Sequence, residues 1–398
     1  MSARQTFSAD TPRSTGFLLL FALANAGAVI GYLPLLTLLL PARIGEIAGE
    51  TRLDLFTITV IAGATAASLS NIAFGWLSDR SLARGRGRRT WVGLGIAMTA
   101  ASYAAIALAA SPVAIILAIV AFQTAINALL APFLAIMADE IPDSQKGVAG
   151  GLLTFAAPVA SAFSVLLVSV PALNDTARLM LIPTAVALCV TPMLRTRPRQ
   201  LVVQPVTHVA SPRRYLAIAW GSRLLIQISG AVLSLYLFYY FESLGTQPGL
   251  ASRVAQVLTI AYALSLPIAV FSGRLSDRIG RRKPFLLAAA FAAALGLTGM
   301  AWTRDFGLAA LCFGLFQIGS AVFLGLHSAF ATQLLPNPAH RGRDLGLLNL
   351  TNTLPGLLGP ILAWTLATPQ DFDAVMLALA ALAICGGPVA QQDRASDS

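Results

Sequence analysis

Arg223 and Gln227 stand one helical turn apart in an otherwise apolar stretch, a placement that marks both as candidates for solute contact. An arginine at the centre of a membrane helix costs about 2.5–3.5 kcal/mol on insertion scales, so its presence asks for a reason. The planar guanidinium fork suits an anionic or polyhydroxyl solute. Arg223 lies about 13 Å along the helix from Arg214, at 1.5 Å per residue, and its long stem could instead carry the charge back to the headgroups. Gln123 and Asn127 form a second i,i+4 pair that must share a face. Asn25 and Gln317 extend this polar set, while Asn71, Gln256, Asn349 and Asn352 add amides in other apolar stretches. Such amides either read solute hydroxyls or hold helices together, at about 0.6 kcal/mol per interhelical bond. His327 shares a face with Ser320 and titrates near neutrality, which makes it either a proton-coupling residue or a hydrogen-bonded packing residue.

What is missing narrows the chemistry. Asp54, Asp139, Glu140 and Glu242 fall near the ends of apolar stretches, and no carboxylate lies deep within one. There is no metal-ligand cluster, phosphate loop, nucleophile elbow or catalytic carboxylate pair, so neither an enzyme nor a cofactor or metal site is expected. Cys189, Cys312 and Cys385 all lie in apolar runs and read as small buried hydrophobes.

The elements that carry these residues follow from composition. Of 398 residues 57% are apolar and 11% charged, and the mean hydropathy is +0.75. A soluble domain carries about 25% charged residues, and a disordered chain is far less apolar. The balance is that of a polytopic membrane protein. Runs long enough to cross a hydrocarbon core fall at about 14–40, 54–77, 91–110, 112–137, 149–170 and 177–194. A second set falls at 214–241, 253–275, 285–302, 306–335, 344–367 and 372–390. Continuous apolar runs exclude the alternation of a membrane barrel, leaving twelve helices. Residues 195–213, with Pro198, Pro205 and Pro212, form a polar linker at the midpoint. The expected organisation is a tail (1–13), a six-helix bundle (14–194), the linker (195–213), a second bundle (214–390) and a tail (391–398).

The two halves echo each other. Phe74-Gly-Trp-Leu-Ser-Asp-Arg80 returns as Ser272-Gly-Arg-Leu-Ser-Asp-Arg278, an offset of 198 residues, and each copy precedes a Gly-Arg-Arg. Pro142-Asp143, Lys146-Gly147 and Gly151-Leu-Leu153 return as Pro336-Asn337, Arg341-Gly342 and Gly346-Leu-Leu348. The net charge of +10 is carried by loops: 21 lysines and arginines fall on the side of the N-terminus and 5 on the other. That asymmetry places both termini and the linker in the cytoplasm, and makes the basic excess an orientation signal rather than a nucleic-acid surface. Only 2 of the 27 basic residues are lysines, which with abundant Ala and Gly points to a GC-rich bacterial gene.

Asp79 and Asp277 are expected to end their helices, and the arginines after them can make charge-assisted hydrogen bonds at the cytoplasmic surface. Such pairs would either latch the halves together or fix loop geometry. The motif Gly75, Asp79, Arg80, Arg88 and Arg89, with its second copy Gly273, Asp277, Arg278, Arg281 and Arg282, resembles the loop motif of the major facilitator superfamily. Within it, Leu77-Ser-Asp-Arg80 with Gly87-Arg-Arg89, and Arg343-Asp-Leu-Gly with Asn349 and Asn352-Thr-Leu-Pro355, are similar to the sucrose and glycoside–pentoside–hexuronide carriers.

The resemblance implies an all-α fold of two six-helix pseudo-repeats, in which spans one, four, seven and ten border a central cavity. The polar set of Asn25, Gln123, Asn127, Arg223, Gln227, Gln317 and His327 falls on those spans. Carriers built from parallel repeats work by rocking one half against the other. Sodium carriers of the melibiose type have paired carboxylates in the second span, whereas Asp54 has no partner one turn on. Span five lacks the Gly-Pro-rich motif of drug:proton antiporters. The expectation is a monomeric alternating-access transporter in a bacterial inner membrane, moving a small polar solute, a sugar or glycoside, with a proton as its possible coupling ion. The alternatives are an exporter of drugs or metabolites, or a non-transporting assembly or sensing protein on the same fold.

Overall fold

Ser111 and Pro112 show how the sequence turns one span into the next. Ser111 accepts a hydrogen bond from the Ala114 amide at 3.3 Å, and Pro112 occupies the first helical turn, where its missing N–H is not needed. Ser14 and Asn174 cap two other helices in the same way, accepting from Phe17 and Ala177. The computed structural model describes residues 6–7, 12–85, 87–201, 213–245, 248–280, 283–333, 351 and 354–389. It divides into two compact units, Met1–Gln204 and Pro205–Ser398, and the boundary falls inside the polar midpoint segment.

The first unit contains α1 (Thr15–Ile30), α2 (Leu40–Ala48), α3 (Arg52–Ala83), α4 (Arg89–Leu108), α5 (Pro112–Glu140), α6 (Asp143–Leu153), α7 (Ala156–Ser169) and α8 (Asp175–Leu194). The first span is not one helix. Pro34 has no N–H for the Ile30 carbonyl, and the chain turns at Gly31–Tyr32 and passes through a π-helical turn, Leu35–Leu39, before α2. The Gly31 carbonyl accepts the hydroxyl of Tyr103, a fully buried residue of α4, at 2.8 Å. The fifth span is likewise divided. Pro158 cannot serve the Thr154 carbonyl, so α6 stops at Leu153, a turn intervenes, and α7 starts at Ala156.

The second unit contains α9 (Arg213–Ser243), α10 (Leu250–Ile279), α11 (Lys283–Trp302), α12 (Phe306–Gln333), α13 (Pro355–Leu366) and α14 (Asp373–Val389). The first part of the expected eleventh span and the whole second echo at 336–348 lie outside the described residues.

Nine helical stretches among the described residues are long and apolar enough to cross a membrane, and the first, Thr15–Leu82, holds two expected spans. Pro355–Leu366 and Asp373–Gly387 are shorter apolar helices at the last two expected positions. Large apolar side chains such as Leu108, Ile72, Leu188 and Leu311 point outward, at 83%, 72%, 71% and 72% exposure. A water-soluble surface does not tolerate such a belt, whereas lipid requires it.

Helix packing repeats between the units. In the first, α1 packs on α7 and α8, α3 and α4 pack on α5, and α4 packs on α8. In the second, α9 packs on α13 and α14, α10 and α11 on α12, and α11 on α14. Small residues set the closest crossings. A Cβ on Gly95 of α4 would fall 2.5 Å from the Leu129 nitrogen of α5, and one on Gly319 of α12 would fall 2.5 Å from the Ala289 carbonyl oxygen of α11. A cluster of Phe17, Phe21, Phe133, Val186 and Val190 fills the interior of the first unit, where Phe21 and Phe133 stack 4.4 Å apart. A short parallel pairing of β1 (Thr6–Phe7) with β2 (Gln200–Leu201) joins the segments before α1 and after α8.

Candidate functional site

The repeated motif lies where α3 ends. Asp79 sits inside the last turns of that helix, which continues to Ala83, so the expectation that Asp79 ends it is corrected. The continuation is helical because Ser81-Leu82-Ala83 offer no breaker, and Gly85 at φ +81° supplies the turn that follows. Arg88, at the N-cap of α4 and 9% exposed, then reaches back. Its Nη1 lies 2.6 Å from Asp79 Oδ1 and donates to Ser78 Oγ at 2.8 Å, and its Nε donates to Asp139 Oδ2 at 2.7 Å. The Ser78 hydroxyl in turn donates a hydrogen bond to the Gly75 carbonyl at 2.8 Å.

One guanidinium thus ties α3, α4 and α5 at the arginine-rich end. Burial alone would pull the Arg88 pKa down, but hydrogen bonds and charge from Asp139 and then Asp79 outweigh it and the net shift is upward. The neighbouring Arg89 makes a two-point contact with Glu140, at 2.6 and 3.0 Å, and donates to Thr196 Oγ1 at 3.0 Å. Arg80 is exposed, with its guanidinium 5.2 Å from the Trp76 ring centroid.

All the bonds named for the motif lie within the first unit. In the second copy α10 runs through Gly273 and Arg278 and ends at Gly280, whose φ of +70° repeats the glycine turn. Ser276 is buried as Ser78 is. The Asp277 side chain, and Arg281 and Arg282 entirely, lie outside the described residues.

Among the amides, the structure brings Asn71, Gln123 and Asn127 together. Asn71 Nδ2 donates to Asn127 Oδ1 at 3.0 Å, and Asn127 Nδ2 donates to the Gln123 carbonyl at 2.8 Å. The buried Asn127 amide is therefore engaged at both ends, its oxygen joining α3 to α5 and its nitrogen bonding back within α5, while the Gln123 side chain is half-buried. Asn25 Nδ2 donates to the Leu153 carbonyl at 3.3 Å, tying α1 to α6.

Arg223 and Gln227 are half-buried one turn apart on α9. Gln317 is half-buried and His327 fully buried on α12, which packs on α9. The His327 ring stacks on Phe323 with centroids 5.6 Å apart. Gln256 is exposed, and Asn349 and Asn352 lie outside the described residues. Arg13, one of the basic residues on the N-terminal side, reaches Glu140 and is held through its backbone by Gln145, while Thr196 accepts from the Arg89 that Glu140 also binds. The available signal was Asp139-Glu140, two adjacent acids closing an apolar helix in a chain with only 17 acidic residues.

The sequence profile of the Major Facilitator Superfamily matches residues 219–391, within the second half. The chain matches no curated protein sequence. Among solved structures it resembles a bacterial homolog of the human lysosomal transporter Spinster in an inward-facing, unoccupied conformation, at 15% identity and a TM-score of 0.70 over 96% of this chain and 99% of that one. A nucleoside transporter is similar at 14% identity and a TM-score of 0.70, covering 94% of this chain and 99% of that one. A D-xylose–proton symporter is similar at 13% identity and a TM-score of 0.71, covering 95% and 98%. At such identities the likeness shows the fold. This chain is an all-helical, multi-pass membrane protein with the major facilitator architecture.

Proposed function

We propose that this chain is a member of the major facilitator superfamily and an alternating-access carrier of a small polar solute. The observation that carries the reading is the duplicated helical unit bearing the same Gly-x-Leu-Ser-Asp-Arg turn in each copy, with the buried Arg88 joining three helices in the first. A bundle tied in this way at its end can move as one body, as rocking of parallel repeats requires. The solute is a sugar or glycoside, in keeping with the motif likeness to the sucrose and glycoside–pentoside–hexuronide carriers. The candidate solute-binding residues are Arg223, Gln227 and Gln317 in the second unit and Asn25 and Gln123 in the first, each able to hydrogen-bond a solute hydroxyl. His327 is the candidate for proton coupling, since no carboxylate lies deep in a described span. The protein sits as a monomer in a bacterial inner membrane with both termini in the cytoplasm, oriented by its 21-to-5 basic asymmetry.

The test is binding and exchange with the purified protein. A solute that binds only the folded state raises the melting temperature by mass action. Sugars and glycosides are expected to do so, and Arg223→Ala is expected to remove the shift while inserting normally. Stabilisation by lipophilic cations alone would replace this reading with an exporter.

A further inference from the structure

Both ends of the first bundle meet at one carboxylate. Glu140 closes α5 with its side chain 4% exposed, and it takes the Arg89 fork on one side and the Arg13 guanidinium on the other. Gln145 of α6 reads the backbone of Arg13 at two points. The Arg13 N–H donates to Gln145 Oε1 at 2.7 Å, and Gln145 Nε2 donates to the Arg13 carbonyl at 2.9 Å. The segment after α8 comes to the same place. Arg13 Nη2 donates to the Arg197 carbonyl at 3.3 Å, Arg199 Nη1 donates to the Pro12 carbonyl at 3.2 Å, and Thr196 accepts from Arg89. The Arg13 guanidinium also lies 4.1 Å from the Phe17 ring centroid, and the β1–β2 pairing continues the contact towards the N-terminus.

We infer that Pro12 and Arg13, with the β1 pairing, form a releasable clasp that holds residues 196–201 against the first bundle. The clasp has two kinds of bond with different fates on release. Glu140 keeps its two-point partner Arg89 when Arg13 leaves, so the bundle retains a paired buried carboxylate. The other contacts are hydrogen bonds with Gln145, with the Arg197 and Pro12 carbonyls and across the β1–β2 pairing, besides the Arg13–Phe17 ring contact, and water replaces these hydrogen bonds at small cost once the segment lifts. The clasp therefore opens without unfolding a helix. This device goes beyond the transport proposal and does not depend on the cargo.

Limited trypsin digestion of the full-length protein in detergent tests it, with initial cleavage rates read by mass spectrometry. Arg199 lies within the held segment and is buried, whereas Arg84 is exposed after α3 and outside the clasp, so the Arg84–Gly85 bond is the reference site. In the unmodified protein the Arg199–Gln200 bond is cut more slowly than Arg84–Gly85. In Arg13→Ala and in Gln145→Ala the Arg199 rate rises about tenfold, as expected for a local opening made easier, while the Arg84 rate and the helical circular dichroism stay unchanged. Equal cleavage at both sites in the unmodified protein, or an unchanged ratio in the folded variants, overturns the clasp. The two variants lie on opposite sides of the contact, so either alone carries the test if the other does not fold. Because no solute is involved, failure here is distinct from failure of the transport reading.

Discussion

Arg88 is the residue whose loss the structure makes most costly at the arginine-rich end. It is buried, and its removal leaves Asp79, Asp139 and Ser78 without their shared donor. Hydrogen bonds to charged groups contribute about 1.5–3 kcal/mol. Arg88→Ala is expected to lose about that much stability, read as a drop in melting temperature, whereas Arg80→Ala at its exposed position should stay within about 0.5 kcal/mol.

Asn127 separates two roles at the same scale. Its amide joins Asn71 to the Gln123 carbonyl. Asn71→Ala and Asn127→Ala should therefore have equal, small effects of about 0.6 kcal/mol on melting. A much larger loss of solute affinity in Asn127→Ala than in Asn71→Ala would instead make Asn127 a binding residue. The sequence exposed the i,i+4 pair but not the partner on α3, because which faces of two uniformly apolar helices meet is decided by packing and not by periodicity. Arg13 was legible only as a charge for the same reason, since nothing local announces that Gln145 and Glu140 converge on it.

Elements carry the second set of expectations. At Gly319 a Cβ would meet α11 backbone, whereas at Gly314 on the same helix nothing lies within 4 Å. Gly319→Ala should destabilise by about 1–3 kcal/mol through overpacking, and Gly314→Ala should be neutral or slightly stabilising. Equal melting temperatures for the two would contradict the close crossing of α11 and α12. The α11–α12 turn is also tied to the start of α14 by Arg304 and Asp373, whose two bonds measure 2.8 and 2.6 Å.

The pair is partly exposed, so Arg304→Ala is expected to cost less than about 1 kcal/mol, read as a small drop in melting temperature. Spans were readable from apolar length. The breaks at Gly31–Tyr32 and Thr154–Phe155 were not, although Pro34 and Pro158 caused them, because proline within a membrane span is as often accommodated as obeyed.

The whole molecule was legible to the extent that it is duplicated. The 198-residue offset between the two Leu-Ser-Asp-Arg copies anticipated two like helical halves, and their matching pairings, α3–α5 with α10–α12 and α1–α8 with α9–α14, emerge only in the packing. Cargo is not encoded by that repetition, since a shared architecture hosts many solutes and the choice rests on a few side chains in the polar set. Transport of a polar solute by this duplicated bundle is read out by solute counterflow in proteoliposomes, with sugars, glycosides, nucleosides and organic acids loaded in turn and the Arg223→Ala variant run in parallel. Saturable exchange of at least one sugar or glycoside is expected of the unmodified protein and none of the variant. Folded, reconstituted protein that exchanges no solute above empty liposomes would contradict it.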